Sequence, residues 1–186
     1  MTKHYLLNLL STYCNFREEI TEENFEQNII LPLIPHLKFT YDYGATKITI
    51  IPAETAYVIK IPFSGYYTNH IYYPHVIDYC KAEMDIYRKS KKDNYSKFFL
   101  PLAQMGKVNG YPIYCQAKAE IEEYSRSEWR KCANNYYGKK IIEDFHSYCN
   151  NNRIIDLSVG NIGYHYGRPV IIDYGGYILN EEETTL

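Results

Sequence analysis

The 186-residue sequence is marked first by what it lacks. No apolar run is long enough to span a bilayer, and the apolar stretch in MTKHYLLNLLSTYC is too short for a signal peptide. A cytoplasmic protein without a membrane partner is therefore expected. The five cysteines, Cys14, Cys80, Cys115, Cys132 and Cys149, are scattered and make no CxxC pair. That spacing argues against a disulfide framework and a thiolate zinc site, and predicts reduced thiols. HExxH, GxSxG and Walker-type phosphate loops are missing too, as are internal repeats and low-complexity linkers. Charge of one sign is also missing: the net value of -2 gives no reason to expect a nucleic-acid partner. The basic run Arg88 to Lys97 reads as the solvated end of a helix, and Glu181 to Glu183 as a solvated tail. Tyrosine is abundant, with 22 residues beside many Asn, Ile and Lys, which reflects an AT-rich genome rather than any chemistry.

Hydrophobic periodicity divides the chain. From Lys3 to Ile34, apolar and acidic residues recur at helical spacing up to PLIP. The next stretch, LKFTYDYGATKITIIPAETAYVIKIPF, predicts three strands over Leu37–Tyr43, Ile48–Ile51 and Ala56–Pro62. A helix follows, started by Pro74 and running from about His75 to Lys91. Then comes a hairpin, LAQMGKVNGYPIYCQA, turning at Asn109-Gly110. Beyond Gln116, IEEYSRSEWRKC and GKKIIEDFHSYC are amphipathic helices, and two short strands flank the glycines of IIDLSVGNIGYHYGRPVIIDYGG. The pattern predicts an α+β chain: a helical extension over 1–36, a sheet lobe over 37–116, and a mostly helical lobe over 117–186.

Several polar residues sit where burial would be costly. Lys60 falls on a strand with Val58 on its face, opposite Ile59 and Ile61. Glu83 shares a helix face with Cys80 and Tyr87. Either alone reads as a solvated surface residue. Together they suggest an ion pair between a strand lysine and a helix glutamate. In DLSVGN, Asp156 and Asn161 bracket a tight loop, and Asp173 ends the apolar strand PVIID. Two carboxylates and an amide oxygen suit Mg²⁺ beside a phosphate chain, because magnesium takes few protein oxygens. A carboxylate off the metal can orient an attacking hydroxyl.

In this order, VIK, a helix glutamate, D-x-x-x-x-N and D-Y-G resemble the protein-kinase-like fold over about Leu37 to Tyr177. The resemblance implies a bilobal fold, with a five-stranded antiparallel N-lobe sheet, its helix C, and a truncated helical C-lobe. It also implies ATP and Mg²⁺ as cofactors. Lys60 would hold the α- and β-phosphates, with Glu83 fixing it. Asp156 would be the base, Asn161 and Asp173 would bind the metal, and Gly175 would close the DYG turn. The one-glycine loop at Gly44 would still turn backbone amides to phosphate, with Thr46 or Lys47 assisting. The stretch Gln116 to Ala119, including Lys118, would be the hinge that meets adenine through its backbone.

Three departures qualify the resemblance. The loop DYGATK keeps one glycine, the His-Arg before the catalytic Asp is replaced by Ile154-Ile155, and the end at Leu186 leaves no activation segment or peptide-docking subdomain. DLS and the brevity of the second lobe look more like RIO-type and aminoglycoside-phosphotransferase branches, and like minimal kinase-like proteins of bacteriophages. A bacterial or phage-infected cytoplasm is the implied setting. The leading expectation is an ATP- and Mg²⁺-dependent phosphotransferase acting on a protein or small-molecule hydroxyl. Two alternatives stay open: a pseudokinase-like nucleotide-binding or interaction module, and a slow autophosphorylating ATPase. A short second lobe is also expected to leave apolar surface that suits a second copy of the chain.

Overall fold

Alternating residues between Phe39 and Pro62 form three antiparallel strands, β1 (Phe39–Tyr43), β2 (Lys47–Pro52) and β3 (Tyr57–Pro62). The later hairpin supplies β4 (Leu102–Val108) and β5 (Tyr111–Ala117). The five strands make one antiparallel sheet in the order β1-β2-β3-β5-β4. The computed structural model describes residues 1–64, 78–121, 126–152, 154 and 159–175. It divides into two compact units: Met1–Cys80 with Leu102–Lys118, and Lys81–Pro101 with Ala119–Leu186.

In the first unit, register decides which face is core. Ile48 lies opposite Ile61 and Ile50 opposite Ile59, so four fully buried isoleucines share one face. The N-terminal helix α1 (Lys3–Tyr13) contributes Leu6, Leu9 and Leu10 to the same core, and Thr2 caps it by accepting the Tyr5 amide at 3.2 Å. Phe16, Ile20, Phe25, Ile29 and Leu33 complete this core. At about 1.5–3 kcal/mol per buried large side chain, the extension is a substantial part of the unit's stability.

The uninterrupted helical spacing from Lys3 to Ile34 is not realised as one helix. After α1 the chain loops, then re-enters a π turn (Glu26–Ile30) that runs into the short α2 (Leu31–Leu33). Asparagines hold the loop. Asn15 Oδ1 accepts the Arg17 amide at 3.1 Å, and Asn24 Oδ1 accepts the Thr21 amide at 2.9 Å. Such side chains compete with the helical ladder for the same backbone groups.

The β4–β5 hairpin turns at Asn109-Gly110, both left-handed at φ 51° and 87°, as the Asn-Gly pair predicts. Gly106 follows a bulge in β4, and a Cβ there would come within 2.8 Å of the Leu7 side chain on α1.

Helix α3 (Tyr79–Lys92) carries the chain into the second unit, and its expected start at Pro74 lies outside the described residues. Its buried positions are Cys80, Ala82, Glu83, Ile86 and Ser90; Met84 is only half-buried. Asn94 ends it in the left-handed region, letting the Tyr95 amide reach back to the Ser90 carbonyl at 2.7 Å. Lys89, Lys91 and Lys92 are exposed in the last turn, where the helix dipole favours cations.

Helices α4 (Arg126–Tyr137) and α5 (Lys139–Asn151) follow, joined at Gly138 with φ 96°. The hairpin of β6 (Ile162–His165) and β7 (Arg168–Ile171) turns at Tyr166-Gly167, both with positive φ. This unit's core is aromatic: Phe98 stacks on Phe145 at 4.0 Å, and Phe99 packs against Tyr174 at 4.7 Å. Among the described residues no helix is long and apolar enough to cross a membrane. No disulfide joins any of the five cysteines.

Candidate functional site

The sheet face opposite the isoleucine core is polar. Thr49 lies opposite Lys60, Lys60 opposite Tyr114, and Val58 opposite Gln116, so these residues share it. Lys60 is only 4% exposed, which removes the reading of a solvated edge lysine. Tyr114 donates its hydroxyl to Asp78, bringing a carboxylate to the same face. Lys47 is as buried as Lys60, and two residues along the strand from Thr49 it falls on that face too. Its face was legible from KITI, where alternation with Ile48 and Ile50 sets Lys47 beside Thr49, but its burial was not.

The glycine-poor loop between β1 and β2 is a tight turn. Gly44 donates its amide to the Lys47 carbonyl at 3.1 Å, and the Thr46 carbonyl accepts from Phe63 at 2.9 Å. Gly44 has no positive φ, and a Cβ there would meet no heavy atom within 4 Å, so the turn does not itself require glycine. Gln116 is buried. The Lys118 amide donates to the Ala56 carbonyl at 2.9 Å, and its ammonium to the Pro52 carbonyl. That backbone donor therefore already continues the β3–β5 pairing.

In the second unit, Glu83 on α3 is fully buried. A buried carboxylate costs several kcal/mol unless compensated, so its position matches the expectation that it points inward. Lys60 and Glu83 belong to different units.

The β6–β7 hairpin organises the rest. Ile162 pairs with Ile171, so Asn161 and Ile172 face each other where the hairpin opens. The Asn161 carbonyl accepts the Ile172 amide at 2.7 Å and the Asp173 amide at 3.4 Å. The two expected metal ligands are thereby brought together, both half-buried. Tyr174, the middle residue of DYG, is an anchor that motif spacing did not reveal. It is fully buried, and its hydroxyl donates to the Leu100 carbonyl at 2.8 Å. The Leu100 amide in turn donates to the Ile171 carbonyl at 2.9 Å, and Phe99 bridges Ile171 in parallel. Asp173 is thus flanked by a hairpin on one side and a locked aromatic on the other, with Gly175 buried behind it.

On the far side of the hairpin, Glu120 and Tyr164 exchange two backbone hydrogen bonds, each 2.8 Å. Gly163 makes that approach feasible, because a Cβ there would lie 2.8 Å from the Glu120 carbonyl oxygen.

Asp156 lies outside the described residues. Among those described, no three His, Cys, Asp or Glu side chains gather as a metal site. Asn161 and Asp173 still fit magnesium, which is commonly held by one or two protein oxygens with phosphate and water completing its shell. No protein-family model matches the chain, and no significant match to it was found among the curated proteins.

Proposed function

We propose that the chain is a minimal, atypical kinase-like phosphotransferase that moves the ATP γ-phosphate to a hydroxyl acceptor in the cytoplasm. The observation that carries this reading is the hydrogen-bonded joining of Asn161 to the Ile172–Asp173 segment at the open end of β6–β7. An amide and a carboxylate at neighbouring backbone positions are the kind of oxygen donors that one divalent ion would take. Two features add support. The sheet order β1-β2-β3-β5-β4, with a helix between β3 and β4, is the arrangement a kinase-like N-lobe requires. Lys60 is buried on that sheet's polar face, where an ammonium is best used against an anion.

Each residue has a defined task. Lys60 holds the nucleotide's phosphates, and Glu83 keeps a negative charge available to orient that lysine. Asn161 and Asp173 present oxygens to Mg²⁺. When bound, the ion neutralises charge on the phosphate chain. Asp156 accepts the acceptor's hydroxyl proton as its oxygen bonds to the γ-phosphorus, and the bond from that phosphorus to the bridging oxygen breaks to release ADP. Phosphoryl transfer asks a protein mainly for position and charge, the two contributions this set of residues would make.

A second reading has its own observation. The Gly44 amide is engaged by the Lys47 carbonyl, so the loop donor expected at phosphate is already used. That favours a nucleotide-binding module without transfer. Turnover of γ-labelled ATP separates the two. A phosphotransferase transfers or releases label only with Mg²⁺, and Asp173→Ala abolishes this. A binding module is stabilised by Mg·ATP against heat and releases no label.

A further inference from the structure

We infer that β1 is a self-association edge, which pairs antiparallel with β1 of a second copy of the chain about a two-fold axis at Thr40. One sheet then runs across two molecules. This surface belongs to the first unit, not to the second lobe, and the inference stands apart from the phosphotransferase reading.

Three observations carry it. First, the sheet guards one edge and leaves the other open. β4 is bulged between Gln104 and Gly106, and α1 lies against it with Leu7 at Gly106. Bulges and covering elements keep an edge from recruiting another strand. β1 has no bulge, proline or lysine, and Thr40, Tyr41, Asp42 and Tyr43 are exposed.

Second, the open backbone groups can be placed. Gly44 donates its amide to the Lys47 carbonyl at 3.1 Å, and Ala53 its amide to the Lys38 carbonyl at 2.9 Å. Antiparallel hydrogen-bonded pairs recur at every second residue, so Thr40 and Asp42 also bond to β2. Phe39, Tyr41 and Tyr43 therefore turn their amides and carbonyls to the open side. Pro52, opposite Phe39, fits this phase because it has no N–H to give. Asp42 Oδ1 accepts the Tyr43 amide at 2.9 Å, which among the described residues leaves the Phe39 and Tyr41 amides as the open donors.

Third, β1 is complementary to itself in the register that uses those two donors. With Thr40 on the axis, Phe39 lies opposite the partner's Tyr41 and exchanges both backbone bonds with it, and symmetry repeats the pair. Aromatic pairs across strands, and Thr beside Thr, are favourable. Lys38 then lies opposite the partner's Asp42, and both residue types are exposed at these positions. No like charges face each other along this pairing. A surface ion pair adds little affinity, but it fixes the register and selects a second copy over a strand of another sequence.

The test is sedimentation of the full chain from about 1 to 200 µM, with Lys38→Asp and Asp42→Lys variants. The wild-type chain should dimerise as concentration rises. Each variant opposes like charges across the axis and should weaken self-association tenfold or more. An equimolar mixture of the two restores opposite charges at both sites and should dimerise like the wild type. Hydrogen exchange of the wild-type chain should show peptides over Phe39–Tyr43 gaining protection across the same range. A wild-type chain that stays monomeric at about 200 µM overturns the inference. So does a dimer that neither variant weakens, or a mixture that associates no better than either variant alone. Should a variant not fold, hydrogen exchange decides: protection over Phe39–Tyr43 that does not change with concentration overturns the inference.

Discussion

The main-chain carbonyl of Asn161 accepts the amide of Asp173 at 3.4 Å, beside a shorter bond from Ile172 at 2.7 Å. Asn161 precedes β6 and Asp173 follows β7, so twelve residues of separation are closed by one hairpin. The main chains at the two positions are thereby held side by side without a ligand.

Tyr174 should be a stability residue with a small, measurable hydrogen-bond share. Tyr174→Phe removes the donor to Leu100 and should cost about 1 kcal/mol in urea unfolding. Tyr174→Ala empties a fully buried aromatic site and should cost about 3–5 kcal/mol. Equal effects of the two substitutions would show that the hydroxyl, not the ring, dominates.

Gly163 and Gly44 should respond oppositely to alanine. Gly163→Ala forces a methyl to 2.8 Å from the Glu120 carbonyl and should destabilise by about 1–3 kcal/mol as the strand bridge shifts. Gly44→Ala meets open space at an ordinary φ and should be neutral or stabilising by about 0.4–1 kcal/mol. Thermal melts of both variants check the contrast.

Alkaline pH should weaken the fold. Burial pushes the Cys14 and Cys149 thiols from 9.0 up to about 12. The folded state thus favours the neutral thiol, and the stability this gives is complete below about pH 9. It is then lost as pH rises towards 12, while the unfolded chain ionises first. Tyr111 and Tyr137, each raised by burial to about 12 from 10.0, add to the loss at the upper end. Unfolding free energy should be flat from pH 7 to 9 and fall beyond; replacing Cys14 and Cys149 with Ala should flatten the fall.

Thiol labelling should be selective. Cys132 is half-buried and the other four cysteines are buried. Under native conditions at neutral pH a maleimide should modify Cys132 first, and peptide mapping should find the other four only after denaturant is added. Early modification of Cys80 would contradict its complete burial.

Local chemistry explains what the sequence disclosed. Asn109-Gly110 announced its turn because few pairs tolerate two left-handed residues, and alternating isoleucines announced β2 and β3. Asn161 and Asp173 stood out as polar residues beside apolar strands, and the β6–β7 hairpin joins their backbones. The break after α1 was not legible, because side-chain hydrogen bonds of Asn15 and Asn24 to nearby backbone groups accompany it while helical periodicity continues through them. The Tyr174 anchor depends on Leu100, 74 residues earlier, and no local pattern encodes such a contact.

The most direct measurement of the central claim is ATP affinity with and without Mg²⁺, for the wild-type chain and for Asn161→Ala and Asp173→Ala. Magnesium should tighten wild-type binding tenfold or more. Both substitutions should remove that gain, and Asp173→Ala should lower label transfer by about 10²-fold or more, with melting temperatures held. Magnesium-dependent binding and transfer that survive both substitutions unchanged would contradict the account.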